Sequence, residues 1–397
     1  MNQAQARRGS AMRIGIVTET YAPDVNGVAL TVQSLARGLV RRGHTVDLVR
    51  PIHPDTPATA DAGMEVLAVD GAAVPRYAGL RFGLPARFRL ERRWRSERPD
   101  AIYVATEGPL GWSAVSAARR LGIPVATGFH TRFDFYVGHY GFGALTPLVR
   151  NYLARFHRRA QTTLVPTGQL AGEINDLGVH DVRVLRRAVD ARRFHPERRD
   201  DRVRMTWGAG TDTPVMLSVG RIAPEKNLHV VIDAYRALKR RVPDARCVVV
   251  GDGPGRAALQ VANPDVIFTG TLRGDDLAAC YASADLFVFP SLTETFGNVV
   301  IEAMASGTPV VAYAEAAARE YIRNGQNGIR VAPGNEGGLV ERAAALGADL
   351  AACRAMGNAA RTSVAGSSPD AVVVEFESIM KSLAEESVHE RSTAVAA

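Results

Sequence analysis

The sequence predicts an α/β protein made of two doubly wound, Rossmann-like domains in tandem. Three observations carry this. Short apolar runs alternate with amphipathic helical stretches along most of the chain, the pattern of parallel strands buried on both faces by helices. The series runs twice, and a polar, Arg- and Asp-rich stretch from Asp190 to Asp212 separates the two runs. The 397 residues are enough for two ordinary domains, each with its own core.

In the first half, Arg13 to Thr18 is an apolar strand, Gly27 to Arg42 an amphipathic helix and Thr45 to Arg50 the next strand. Further strands are expected at Ala101 to Val104, Pro124 to Gly128, Thr162 to Val165 and Val182 to Leu185, with helices over 109–121, 144–159 and 167–177. In the second half, strands are expected at 214–220, 245–250, 265–269, 285–289 and 309–312. Helices fill 225–241, 254–262, 274–282, 296–305, 336–348 and 350–364. The expected division is residues 12–190, residues 191–368 and a last helix over 369–383, followed by a frayed polar tail from Ala384 to Ala397. Ligands of such sheets bind at the carboxyl ends of the strands, so two of them in sequence imply a deep cleft.

No apolar run approaches the roughly 18 residues that cross a bilayer, and the first twelve residues lack the apolar region of a secretory signal. Three cysteines, Cys247, Cys280 and Cys353, form no C-x-x-C pair and fit a reducing cytosol without a disulfide framework or zinc site. Charge is uneven. Residues 1–200 hold 29 basic against 18 acidic residues, a net of +11; the remainder holds 19 against 23, a net of −4, giving the total of +7. The first half would be drawn to an anionic surface. Arg76 to Arg98 carries eight arginines interleaved with Phe82, Phe88 and Trp94, and helix 144–159 carries Arg150, Arg155, Arg158 and Arg159 beside Leu148, Tyr152, Leu153 and Phe156. Basic residues with aromatic anchors suit anionic lipid, and no recognition motif points to nucleic acid.

The most informative segment is Ser291-Leu-Thr-Glu-Thr-Phe-Gly-Asn-Val-Val-Ile-Glu-Ala-Met-Ala-Ser-Gly-Thr-Pro-Val310. A strand ends near Pro290, a loop carries Glu294, and a helix starts near Phe296. Its first amides, on Gly297, Asn298 and Val299, precede the helical ladder and form an anion site, with Gly297 leaving space for a phosphate oxygen. Glu302 lies about 7 Å further along the axis at about 1.5 Å per residue, a reach that suits a ribose. Glu294 can grip hydroxyls of a second sugar. Ser218-Val-Gly-Arg-Ile-Ala-Pro-Glu-Lys-Asn227 brings Arg221 to a strand end and Lys226 to the next helix start, two cations that complement a diphosphate. Taken singly, such acids and cations also serve as solvated faces or helix-start ion pairs. The loop Glu19-Thr-Tyr-Ala-Pro-Asp-Val-Asn-Gly-Val28 lacks G-x-G-x-x-G, which argues against a dehydrogenase, and its Asn26-Gly27 offers backbone amides at a helix mouth. His130, in Gly128-Phe-His-Thr-Arg-Phe-Asp-Phe-Tyr136, stands at a strand end.

These motifs, in this order, resemble the retaining glycosyltransferases of GT-B architecture, family 4. The family's signature has two glutamates with seven residues between them, Phe296-Gly297 after the first, and Glu302-Ala-Met-Ala-Ser-Gly-Thr-Pro-Val310 from the second. Gly220-Arg-x-x-x-Glu-Lys-Asn227 is also the family's pattern. The resemblance spans roughly Met12 to Leu383. It implies that Arg221 and Lys226 hold the departing diphosphate, that Gly27 approaches the donor phosphate and that His130 sits near the donor sugar. It further implies that the backbone around Leu272 and Arg273, after Gly251-Asp-Gly-Pro254, contacts the base, and that the last helix crosses back to the first domain. Arg132, Asp134, Tyr136, His139 and Tyr140 would line the acceptor side. Ala188 stands where the family's Gly-Val-Asp has glycine, which puts a close backbone approach there in doubt.

The implied reaction transfers a mannose- or glucose-type hexose from a UDP- or GDP-sugar, with retention, catalysed by His130, Arg221, Lys226 and Glu294, and without a divalent metal or cofactor. The pattern around His130 and Tyr136 is most similar to mannosyltransferases, diacylglycerol glycosyltransferases and sulfoquinovosyltransferases. The expected acceptor is thus a lipid at the inner face of the cytoplasmic membrane. Alternatives are a soluble sugar or polyol acceptor, a nucleotide-sugar epimerase, or a silent binding module.

Overall fold

The computed structural model describes residues 11–22, 24, 26–52, 63–73, 81–130 and 146–396. The chain divides into two units, residues 1–187 with 369–397, and residues 188–368.

In the first unit, strands β1 (Arg13–Val17), β2 (Thr45–Pro51), β3 (Met64–Val69), β6 (Ala101–Val104), β7 (Val125–Gly128), β8 (Thr162–Val165) and β9 (Val182–Val184) form one parallel sheet in the order β3-β2-β1-β6-β7-β8-β9. A short antiparallel pair, β4 (Gly71–Ala73) and β5 (Arg81–Gly83), stands apart from it. The helices are α1 (Gly27–Arg41), α2 (Arg87–Ser96), α3 (Pro109–Leu121), α4 (Thr146–His157), α5 (Gly168–Asp176) and the C-terminal α14 (Pro369–Ala396). Val17, Ile102, Val104, Trp94, Leu110 and Phe156 are buried together in its core.

The second unit has β10 (Val215–Val219), β11 (Arg246–Val250), β12 (Ile267–Gly270), β13 (Leu286–Phe289), β14 (Val310–Tyr313) and β15 (Ile329–Val331), all parallel, in the order β12-β11-β10-β13-β14-β15. Its helices are α6 (Asp201–Thr206), α7 (Leu228–Arg241), α8 (Arg256–Ala262), α9 (Gly274–Ser283), α10 (Asn298–Ala305), α11 (Ala316–Tyr321), α12 (Glu336–Gly347) and α13 (Leu350–Val364). Alternation along the strands explains the apolar runs. Leu217, Val248 and Phe287 face a core built with Tyr281 and Ile301, while Met216, Val249 and Val288 face one built with Tyr235 and Leu238. Both faces are dry, so neither set of positions can be polar.

Several expectations need correction. The stretch from Asp190 to Asp212 is no linker. It buries Phe194 edge-on against Tyr281, forms a 3₁₀ turn at Pro196–Arg198 and continues into α6. Arg204 is fully buried there, donating to the carbonyls of Ser283, Gly210 and Thr213 at 2.6–2.7 Å and pairing with Asp285 at 3.0 Å. The polar composition therefore reflects a buried clasp. The tail expected from Ala384 is helical, since α14 continues to Ala396. The helix expected from 225 begins at Leu228, after a 3₁₀ turn at Pro224–Lys226 and Asn227 in the left-handed region. Strands β3, β4, β5 and β15 and helices α2 and α11 had no sequence counterpart. Most are short, and α2 was masked by its arginines.

Candidate active site

In each sheet the strand order reverses beside the first strand, and ligands of open α/β sheets bind at that switch point. In the second unit it lies between β10 and β13. The loops leaving those two strands carry Arg221, Lys226 and Glu294. Lys226 Nζ bonds Glu294 Oε1 and lies 3.5 Å from Ser291 Oγ, which itself donates to Glu294 at 2.8 Å. Asn227 donates to the carbonyl of Pro290 at 3.0 Å and ties the two loops together. Arg221, 41% exposed at its side chain, lies 3.9 Å from the buried carboxylate of Glu225. The structure therefore brings together Lys226 and Glu294, 68 positions apart in sequence.

The helix tip beside them begins one or two residues later than expected. Val300 is the first to donate into the ladder, to Gly297 O at 3.0 Å, so the amides of Asn298 and Val299 precede it. Gly297 has φ +83°, a conformation that side chains disfavour, whereas a Cβ would meet Glu294 and Phe289 only at an ordinary 3.4 Å. Backbone conformation, more than space, demands this glycine. Phe296 is buried in the core against Tyr321, and its carbonyl accepts from Ala317. Its observed part is to seat the loop. Glu302 accepts from the Tyr281 hydroxyl at 3.0 Å, and burial pushes its carboxyl up to about 7 despite that bond.

Around β11 and β12 the glycines serve close packing. A Cβ on Gly251 would lie 1.9 Å from Gly220 O, because the loop after β11 lies backbone to backbone on the loop that carries Arg221. The Ile222 amide donates to Asp252 O at 2.9 Å, completing the contact. Leu272 packs against the core below and Arg273 caps α9.

In the first unit, Asn26 caps α1 with its own side chain, accepting from the amides of Val28 at 3.1 Å and Ala29 at 2.9 Å. Those two amides are thus already used, and the ones expected to face a ligand are those of Asn26 and Gly27 themselves. His130 follows β7, and both its ring nitrogens are engaged. Nε2 lies 2.6 Å from the Tyr103 hydroxyl and Nδ1 bonds the Arg187 guanidinium. Burial, and then the Arg187 charge, hold the ring well below the usual histidine range. Arg132, Asp134, Tyr136, His139 and Tyr140 lie outside the described residues.

A family model described as Glycosyltransferase Family 4 matches residues 25–193, and one described as Glycosyl transferases group 1 matches residues 200–363. A GDP-mannose-dependent alpha-mannosyltransferase of Mycolicibacterium smegmatis is 36% identical over 324 residues, which cover 80% of this chain and 84% of that relative. The chain belongs to the family 4 glycosyltransferases. An alpha-monoglucosyldiacylglycerol synthase of Streptococcus pneumoniae is 30% identical over 315 residues, covering 76% of this chain and 71% of the relative. The solved sucrose-phosphate synthase of Thermosynechococcus elongatus matches with a TM-score of 0.76 at 18% identity, over 94% of this chain and 99% of that one, and shows the shared GT-B fold.

The glycosyltransferase also carries polar groups that sequence reasoning missed. Glu19, at the end of β1, accepts from the Leu110 amide at 2.9 Å at the start of α3, and burial pushes it up to about 7. Glu107 and His157 face each other at 3.4 Å, both buried. No motif flags them, because the partners come from elements far apart in sequence. The basic stretches also differ from expectation. In α2, Trp94 is core, while Arg87 and Arg95 pair with Glu91, and Arg93 with Asp47, Glu65 and Glu97. In α4, Leu153 and Phe156 are buried. Phe88, 83% exposed, and Leu148, 66% exposed, remain as exposed apolar side chains, with Tyr152 half-exposed and stacked on Trp112. Among the described residues, no helix is long and apolar enough to cross a membrane.

Proposed function

We propose that this glycosyltransferase moves a mannose- or glucose-type hexose from a nucleoside-diphosphate sugar to a hydroxyl of a membrane glycolipid or diacylglycerol, with retention at the anomeric carbon. The observation that carries the reading is the Lys226–Ser291–Glu294 cluster at the switch point, beside the tip of α10. Cleavage of the anomeric bond leaves charge on the diphosphate. Arg221, Lys226 and the amides at Gly297, Asn298 and Val299 supply fixed compensation for it, so the reading needs no divalent metal or cofactor. Glu302 accepts from the ribose, the backbone at Leu272 and Arg273 flanks the base, Gly27 approaches the phosphate, and Glu294 and His130 orient the donor sugar. A leaving phosphate oxygen takes the proton of the acceptor hydroxyl as that hydroxyl attacks the same face of the sugar. Retention then follows without a protein nucleophile.

The relatives' names support the substrates. One is GDP-mannose-dependent and another makes a glucosyldiacylglycerol. The basic first half, with Phe88 and Leu148 exposed on α2 and α4, supports a peripheral enzyme at the anionic cytoplasmic face of the membrane. Arg132, Asp134, Tyr136 and Tyr140 belong to this reading as acceptor-side residues.

The test is turnover of GDP-mannose and UDP-glucose with a lipid extract, with the product anomer read by NMR. An α-linked glycolipid is expected. Glu294→Ala and Lys226→Ala should each lower kcat by about 10²-fold or more, the scale set by removing a preorganised charge-stabilising group. Full turnover in either variant, or release of an altered nucleotide-sugar without acceptor, rejects the reading.

A further inference from the structure

Strand β6 and the segments that follow β7 and β9 build a polar trio of which the reaction scheme uses only His130. Tyr103 closes on His130 from β6, and Arg187 reaches it from the segment after β9. Tyr103 is wholly buried and its ring is held edge-on by Phe376 of α14, with centroids 5.0 Å apart. Gly128 makes the meeting possible. A Cβ there would lie 2.2 Å from the Tyr103 hydroxyl and 2.6 Å from His130 Nε2, inside both. Because Phe376 pins the tyrosine, the space cannot be recovered by a shift of its ring.

We infer that Arg187 and Tyr103 are positioning residues that fix His130 as a neutral, immobile ring in the Nε2–H tautomer. The inference rests on the reading of His130 as a donor-sugar residue. A guanidinium only donates, so Nδ1 of His130 accepts. The ring proton of the neutral imidazole therefore sits on Nε2 and is given to the Tyr103 oxygen. With both nitrogens engaged, the ring has no lone pair left to take a proton. Arg187 is buried, and its charge opposes a second positive charge on the ring beside it. The other titratable groups nearby are His157 of α4, which acts in the same direction, and Glu107, which faces His157 and Tyr103. This arrangement serves the chemistry. The anomeric carbon gains positive charge as the diphosphate departs, and an imidazolium there would repel it where a neutral ring does not.

The test uses the full-length enzyme with ¹⁵N-labelled histidine, reading ring nitrogen signals beside kcat and KM for donor. In wild type the His130 signals should show a protonated Nε2 and a bare Nδ1, unchanged from pH 8 to pH 5. Arg187→Met should mix the tautomers and lower kcat about 10- to 100-fold with KM little changed, the size of effect a misplaced group produces. Arg187→Lys, which keeps a donor, should recover part of both. Gly128→Ala keeps every polar group but forces the pair apart, and should reproduce the Arg187→Met signature at a melting temperature that shows a folded enzyme. Wild-type ring signals and kcat in Arg187→Met overturn the positioning role. Undiminished turnover in His130→Ala overturns instead the reading on which it rests.

Discussion

At the scale of one residue, the burial of Glu302 opposes the ribose contact proposed for it. Its carboxyl, raised from the ordinary 4.5 to about 7 by burial, stays protonated in the fold while the unfolded chain ionises. The contribution of this group to stability is therefore greatest below about pH 4.5, falls as pH rises towards 7 and levels off above it. The loss is on the order of 3 kcal/mol. Glu302→Gln should remove its share of this decline and leave that of Glu19, which denaturant melts at pH 5 and pH 8 would reveal. Donor binding should run the other way, because the carboxylate is the better acceptor for ribose hydroxyls. Wild-type affinity should tighten as pH rises through 7, while that of Glu302→Gln stays flat by calorimetry. The identity of Glu302 was legible in the sequence from its spacing to Glu294. Its raised pKa was not, since that depends on Tyr281 and on how α10 is packed.

At the scale of elements, two contrasting sites carry predictions. Gly297 holds φ +83° at the start of α10. Gly297→Ala should cost about 1–2 kcal/mol of stability, the penalty of a left-handed residue with a Cβ, and should weaken donor binding as the helix tip turns away. Arg204 is a clasp rather than part of a binding site. Its guanidinium satisfies three carbonyls and the buried Asp285. Arg204→Met strips three carbonyls of their donor and leaves Asp285 to Arg199 at 3.3 Å and to the Val215 amide; it should cost about 3 kcal/mol, lowering the melting temperature while donor KM at permissive temperature stays unchanged. Periodicity made most strands and helices readable because both sheet faces are buried, so most core positions are apolar. It failed where polar residues do structural work. α6 and the Pro196–Arg198 turn looked like a linker because their stabilising contacts are charged, and α2 looked like a docking strip although Trp94 and Glu91 are buried in it.

For the whole molecule, the charge imbalance and the exposed apolar side chains make one prediction. Binding to vesicles of anionic lipid should be measurable at low salt and should fall steeply as salt screens the basic face. Phe88→Ser with Leu148→Ser should weaken it further at fixed charge. Indifference to anionic vesicles at low salt would remove the membrane part of the proposed function.

By itself the sequence determined the two-sheet architecture and the family, because burial on both faces leaves a periodic trace and because the Glu294–Glu302 and Arg221–Lys226 spacings follow one strand–loop–helix each. Tertiary structure alone decided which of those groups meet. Lys226 finds Glu294 only because β10 and β13 are neighbours in the sheet, and His130 finds Tyr103 and Arg187 only because β6, β7 and β9 end on the same side. Hydrogen bonds between residues carried by different strands and the segments after them leave no period in the chain, and so no local pattern announces them.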